Sequence, residues 1–100
     1  MKTNINGEWV RIIPQTSINI TNAEELRSEF KKIMNQGINK FILDLKNVND
    51  VDSMAIGKIL VVNSALNKKD GKLVIENVNS ENVRKVFEAV NLSDVIEIRD

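Results

Sequence analysis

The residues best placed for chemistry follow a short apolar run at residues 41–45, where two carboxylates and a hydroxyl stand close together: Asp50, Asp52 and Ser53. Ligand sites of open α/β sheets lie beyond the carboxyl ends of the strands. A stretch with helical periodicity follows, and the first turn of a helix offers free N–H groups and a partial positive charge. We therefore expect Asp52 or Ser53 to be the N-cap of a helix. The alternative is a phosphate-sensitive switch, because a phosphate there would add about 1.5 to 2 negative charges.

The composition removes most catalytic schemes. The chain has no Cys and no His, so thiol nucleophiles, disulfides and imidazole bases are impossible, and a zinc site would need carboxylates alone. Carboxylate chemistry through Asp44, Asp50 and Asp52 remains an alternative. Asp44 lies in the middle of an apolar strand, however, and is expected to face one side of the sheet or to pair with a Lys. We expect no catalytic residue, no metal and no cofactor, and hence no enzyme.

Length and charge describe a small globular domain without nucleic-acid binding. The 100 residues are 42% hydrophobic and 28% charged, and the 14 basic side chains balance the 14 acidic ones. This composition predicts a folded single domain over residues 1–100, with a loose N-terminal segment at residues 1–7. No basic run is present to neutralise phosphates. The longest apolar run, residues 59–62, is far shorter than the roughly 20 residues that span a bilayer. We expect a cytoplasmic protein with no membrane span and no signal peptide.

Periodicity and capping signals define the elements that position these residues. Helices are predicted to begin near Asn22, Ser53 and Ser80, the first of them at a capping box formed by Thr21 and Glu24. Strands are predicted at residues 8–13, 17–20, 41–45, 72–76 and 95–98. The order indicates an α/β domain with a mixed, mostly parallel sheet of roughly four or five strands flanked by about three helices, joined by right-handed crossovers.

The middle helix divides its apolar residues between two faces. A helical wheel places Ala55, Ile59, Val62 and Leu66 on the core side. It leaves an outward strip, which we define by the residues Met54, Gly57, Leu60, Val61 and Ser64. An exposed, contiguous apolar strip marks a protein contact, whereas burial under a neighbouring helix is the alternative. The wider core is predicted to include Ile42, Leu43, Leu45, Val74, Val83, Val86, Phe87 and Val90.

Four segments of this sequence together resemble one family. The segments TNAEEL, FILDL, DVDSMAIG and VRKVFEAVNLSDVIEI, in this order over residues 7–100, are similar to the STAS domains of bacterial anti-sigma factor antagonists. The resemblance implies a protein-interaction module. It implies that the partner is an anti-sigma factor, a serine-kinase-like protein whose capture regulates transcription. It also implies that the partner binds residues 52–57 and the helix beyond them. A receiver domain is disfavoured, because Pro14 and Gln15 stand where it needs an acidic pair.

The family signature departs from its pattern in this chain. The signature has Asp, Ser or Thr, a phosphorylatable Ser or Thr, Gly, a bulky apolar residue and often Gly. The corresponding positions read Asp52, Ser53, Met54, Ala55, Ile56 and Gly57. Met54 thus replaces the phosphoacceptor, and Ser53 is the neighbouring hydroxyl left for phosphorylation. The resemblance implies that these six residues bind the partner together with Leu60 and Val61. The alternative is a STAS subunit without a phosphorylation cycle that docks on a transporter ATPase or another partner.

Overall fold

Five strands form one sheet in which spatial order follows chain order, β1-β2-β3-β4-β5. The computed structural model describes residues 1–99. β1 pairs with β2 in antiparallel orientation, and β2 to β5 are parallel to one another. The elements are β1 Lys2–Asn6, β2 Trp9–Ile13, α1 Ala23–Met34, β3 Lys40–Asp44, α2 Ser53–Asn67, β4 Lys72–Glu76, α3 Glu81–Ala89, a 3-10 turn at Leu92–Asp94 and β5 Glu97–Arg99. The predicted α/β fold with a mixed sheet is confirmed, and the strand at residues 41–45 is central, as β3.

One face of the sheet carries the hydrophobic core. Side chains alternate between the faces of a strand, and Phe41 and Leu43 of β3 are fully buried on the same side. The Phe30 ring of α1 packs on Phe41 with 5.0 Å between ring centroids. Buried residues of α2 and α3 belong to the same cluster. The three helices therefore pack on this one face, as right-handed crossovers in a single direction require.

The opposite face is closed by ion pairs between its own strands. Arg11 on β2 donates to Asp44 on β3 at 2.9 Å and to Glu76 on β4 at 2.8 Å. Further pairs continue to β5 through Arg99, Glu97 and Lys72. Val74 lies on this face of β4 and is 0% exposed. The long charged side chains thus cover an apolar residue that lies outside the core cluster.

Three expectations at the N-terminal side are corrected. Residues 1–7 are not a loose segment, because β1 pairs along its whole length with β2. Residues 17–20 form no strand; Ile18 makes only an isolated bridge to Val51. The capping box fails, since the N-cap of α1 is Asn22 without a side-chain cap hydrogen bond. Glu24 instead pairs with Arg27 and Lys58, and ion pairing competes with the reach back to a helix amide.

The core prediction holds for most residues and fails at the end of α3. Phe87 and Val83 are buried, but Val90 is 49% exposed and Val86 is half-buried. The helix ends at Ala89, and Val90 as C-cap turns away from the sheet. Ile42 is also half-buried, because it lies on the ion-paired face. The last strand, β5, begins at Glu97 rather than at Val95.

Candidate functional site

The start of α2 is organised by the carboxylate of Asp52. Asp52 is the N-cap in extended conformation, and its Oδ1 accepts the N–H of Ala55 at 2.9 Å. This bond satisfies a free amide of the first turn and places negative charge at the positive end of the helix. Ser53 is the first helical residue and is exposed. Of the two predicted N-caps, Asp52 is therefore correct and Ser53 is not.

The second oxygen of the Asp52 carboxylate binds a different part of the chain. Oδ2 accepts the N–H of Ile20 at 2.9 Å, in the loop between β2 and α1. Next to it, Ile18 donates its N–H to Asp50 at 3.1 Å and accepts the N–H of Asp52 at 3.2 Å. Three hydrogen bonds thus fasten this loop to the residues that lead into α2.

Ile20 is a site residue that the sequence did not reveal. Its side chain is 71% exposed, although it is a large apolar residue. The hydrogen bond to Asp52 holds it beside the first turn of α2, where Met54 is 43% exposed. In the sequence, Ile20 is a single apolar residue between the polar residues Asn19 and Thr21. The predicted strand at residues 17–20 assigned it to the sheet instead.

Side-chain amides give the loop its shape. Asn22 accepts the N–H of Asn19 at 2.9 Å and donates to the carbonyl of Ser17 at 2.8 Å. Asn19 in turn accepts the N–H of Thr21 at 2.9 Å. Such local bonds favour turns over strands, which explains why residues 17–20 leave the sheet and present Ile20 to solvent.

The outward strip of α2 lies on the surface. Leu60 is 39% and Val61 is 51% exposed, and Gly57 and Ser64 are exposed as well. The alternative that a neighbouring helix buries the strip is wrong. Its role as a partner contact stays a prediction.

Two residues of the predicted partner site point inward. Ala55 is 0% and Ile56 is 8% exposed, and both belong to the core cluster. They can support the surface from beneath but offer little area to a partner. The other predicted residues Asp52, Ser53 and Met54 lie together at the start of the helix.

Asp44 anchors the other end of the loop that precedes α2. Asp44 is 1% exposed and accepts hydrogen bonds from the Lys46 N–H and from the Asn77 and Arg11 side chains. Burial raises its pKa, but the bonds from Asn77, Lys46 and Arg11 together outweigh burial and lower it. Its ion partner is Arg11 and not the Lys expected from sequence.

The midpoint of the loop is held by α3. The N-cap of α3 is Ser80, whose Oγ accepts the N–H of Val83 at 3.3 Å and donates to the Asn49 carbonyl at 2.7 Å. The loop from Asp44 to Asp52 is therefore fixed at both ends and in the middle, which gives the start of α2 a defined position relative to the sheet.

The carboxylates at this edge serve structural roles. Both oxygens of Asp44 and both oxygens of Asp52 accept hydrogen bonds from the protein. Asp50 accepts the N–H of Val51. Among residues 1–99, no group of His, Cys, Asp or Glu has the arrangement of a metal site. In the same part of the chain, no helix is long and apolar enough to cross a bilayer. The geometry fits a contact surface better than a carboxylate reaction centre.

Comparison with known proteins yields a family match over nearly the whole chain. The family model for the STAS domain matches residues 2–100. A protein of Thermotoga maritima, assigned as an anti-sigma factor antagonist, is 29% identical over 97 residues, which are 96% of this chain and 85% of the relative.

Solved structures share the fold. A crystal structure from Thermotoga maritima, also assigned as an anti-sigma factor antagonist, has a TM-score of 0.93 at 28% identity and covers 99% of this chain and 85% of that chain. The anti-sigma factor antagonist SpoIIAA in its unphosphorylated form has a TM-score of 0.77 and covers 99% of this chain and 86% of that chain. At 21% identity, the second likeness concerns the fold alone.

Proposed function

The chain belongs to the STAS domain family, and on this premise we propose that it is a non-catalytic interaction module of the anti-sigma factor antagonist type. Its partner in this proposal is an anti-sigma factor with a serine-kinase-like fold, and capture of that partner regulates transcription. Such a partner acts in the cytoplasm, where we place the protein. The names of the Thermotoga maritima relatives support the assignment.

The exposed outward strip of α2 is the observation that carries the proposal. Met54, Leu60 and Val61 present apolar side chains to solvent on a helix whose opposite face is fully buried. Ile20 adds a fourth exposed apolar side chain at the start of the helix. Apolar groups of this size stay exposed at a free-energy cost in a monomer, and their contiguous arrangement is typical of contact surfaces.

Regulation is proposed to differ from that of phosphorylated family members. By its resemblance to the family signature, position 54 is the phosphoacceptor position, and the thioether of Met54 cannot accept a phosphoryl group. We propose an antagonist that binds its partner without a phosphorylation switch at position 54.

Affinity capture with matched variants tests the proposal. Wild-type protein and the variants Leu60→Asp and Val90→Asp are immobilised and exposed to lysate of the native host, and bound proteins are identified by mass spectrometry. Both variants place a charge at an exposed apolar residue, but only Leu60 belongs to the outward strip. We expect wild type and Val90→Asp to retain an anti-sigma factor with a histidine-kinase-like ATPase fold, and Leu60→Asp to lose it. Capture of a transporter ATPase instead would support the alternative function, and equal capture by all three proteins would refute the proposed surface.

A further inference from the structure

A groove runs between α1 and α2, apart from the first turn of α2. Its volume is about 210 Å³, and its apolar lining includes Met34 of α1 with Val61, Val62 and Ala65 of α2. Met34 and Val62 are buried and form the floor, whereas Val61 is 51% exposed and stands at the wall. The groove therefore offers room for a few apolar side chains of another molecule.

The rim of the groove is positively charged on both sides. Arg27 and Lys31 of α1 face Lys69 beyond the end of α2. Within residues 1–99, Lys31 and Lys69 form no ion pair. Arg27 shares a single carboxylate, Glu24, with Lys58 at 2.7 and 2.9 Å. Hydrogen bonds from Arg27 and then from Lys58 lower the pKa of Glu24 to about 2, so this carboxylate is ionised at neutral pH and is already shared by two cations.

The groove lining includes two basic residues of α1, Arg27 and Lys31, and none of its glutamates, whereas Lys32 lies outside the lining and pairs with Glu29 at 4.0 Å. Glu25 and Glu29 lie outside the groove lining, and Glu25 lines a separate depression near Pro14 on the other side of the helix. Helix C-termini attract lysines through the dipole, which accounts for Lys31 and Lys69 singly. It does not account for the placement of Arg27, Lys31 and Lys69 along an apolar groove whose lining, within residues 1–99, contains no carboxylate.

We propose that this groove binds an acidic amphipathic helix of a partner protein. A helix of this type lays apolar side chains at i, i+4 and i+7 into a hydrophobic groove, and its flanking carboxylates pair with Arg27, Lys31 and Lys69. This proposal rests on the proposed function, because it takes the ligand of the groove to be a protein. It adds a contact beside the outward strip, with which it shares Val61, and specifies the chemistry of the segment that fills the groove.

Binding of defined peptides tests the groove without any anti-sigma factor. The probe is a synthetic helix of about four turns with Leu at the groove positions and Glu on both flanks. A control peptide of the same sequence carries Lys in place of every Glu. Methyl NMR spectra of the full chain are recorded during titration up to about 1 mM peptide, a range that detects even weak complexes. We expect saturable changes in the methyl chemical shifts of Met34, Val61 and Ala65 with the acidic peptide and no changes with the basic control peptide.

Charge-reversed variants locate the interaction. Lys31→Glu/Lys69→Glu should weaken acidic-peptide binding by about ten-fold or more, because both reversed charges then repel the peptide. Lys32→Glu/Lys68→Glu changes the net charge equally at neighbouring exposed positions outside the groove lining, and should retain binding within about three-fold. The spectra report folding of each variant directly.

Three outcomes would overturn the proposal. They are absence of methyl shifts with the acidic peptide, equal weakening by the two double variants, and stronger binding to anionic phosphatidylglycerol vesicles than to the peptide. The last result would assign the groove to a membrane surface. Failure of the groove would leave the capture experiment on Leu60 unaffected, so the two proposals can fail separately.

Discussion

Asp52 and Ile20 are 32 positions apart in sequence and are joined by a hydrogen bond of 2.9 Å from the Ile20 N–H to the Asp52 Oδ2. The other carboxylate oxygen caps α2 through the N–H of Ala55. One side chain therefore both starts the helix and fixes the loop that presents Ile20. Together with the two backbone bonds of Ile18 to Asp50 and Asp52, this connection positions Ile20 beside the apolar surface around Met54.

Substitution of Asp52 should separate its two roles. In Asp52→Asn the side-chain oxygen can still cap the helix, but the NH2 group that replaces the second oxygen cannot accept the N–H of Ile20. Asp52→Ala loses both hydrogen bonds. We expect Asp52→Ala to lower the free energy of unfolding by about 1 to 2 kcal/mol and Asp52→Asn to lower it by less. Urea denaturation measures both values. Amide hydrogen exchange at Ile20 should accelerate in both variants, and unchanged exchange in Asp52→Asn would contradict the role of the Asp52 carboxylate in holding Ile20.

Adjacent positions of α2 should differ sharply in tolerance for charge. Ile59 is 1% exposed and Leu60 is 39% exposed. Ile59→Asp should lose more than about 4 kcal/mol, because an unpaired carboxylate cannot be buried. Leu60→Asp should stay within about 1 kcal/mol of wild type, because its side chain reaches water. Thermal unfolding followed by circular dichroism distinguishes them, and unfolding of both variants would place the outward strip in the core.

The packing of α3 can be tested in the same way at its two ends. Phe87 is 4% exposed and belongs to the core cluster, so Phe87→Ala should cost about 3 to 5 kcal/mol through lost burial and the cavity left behind. Val90→Ala, at an exposed position, should change stability by less than about 0.5 kcal/mol. Chemical denaturation gives both values. A loss below about 1 kcal/mol for Phe87→Ala would contradict the position of α3.

Restoring a hydroxyl at position 54 should restore phosphorylation. On the proposed function, Met54→Ser rebuilds the family signature, and the kinase partner with ATP should label it. Wild type should remain unlabelled at this position, since Met54 has no acceptor oxygen. Mass spectrometry after incubation gives the stoichiometry and the site. Ser53→Ala/Met54→Ser should be labelled like Met54→Ser.

Ser53, the hydroxyl next to position 54, is exposed and is not the N-cap of α2, a role that Asp52 has. We still expect no label on wild-type Ser53, because the signature puts the acceptor at the next position. Stoichiometric phosphate on Ser53 in the wild type would refute the proposal of an unswitched antagonist.

Stability should depend on pH through Asp44. Its pKa in the folded protein lies below the ordinary value, so its ionised form stabilises the fold above the unfolded pKa of about 3.9. That contribution is lost as the pH falls through the lower folded pKa. Asp44→Asn should therefore cost about 2 kcal/mol at neutral pH, and the difference from wild type should shrink below about pH 4.

Urea denaturation at neutral and acidic pH measures this difference. In an Arg11→Gln background the effect of Asp44→Asn should be smaller at neutral pH, because Arg11 then no longer pairs with Asp44. A difference between wild type and Asp44→Asn that stays constant down to about pH 3 would show that the Asp44 charge is not what stabilises the fold.

The three helices and the strands β2 to β5 follow from local patterns in the sequence. The apolar run at residues 41–45 predicts the central strand, and the spacing of Ala55, Ile59, Val62 and Leu66 predicts which face of α2 is buried. Both are confirmed, because periodicity and capping act within a few residues. The exposure of Leu60 and Val61 follows from the same wheel, since the face opposite a buried face meets solvent unless another element covers it.

Contacts between distant residues were decided by the tertiary structure alone. Residues 2–6 contain a single apolar side chain, Ile5, and become a strand only because β2 offers hydrogen bonds at its free edge. Ile20 becomes a surface residue of the site because Asp52 reaches its amide, and Asp44 pairs with Arg11 because parallel strands bring them side by side. The groove rim of Arg27, Lys31 and Lys69 likewise requires α1 and α2 to lie next to each other. The energy of such pairs depends on distance in space, which sequence separation does not encode.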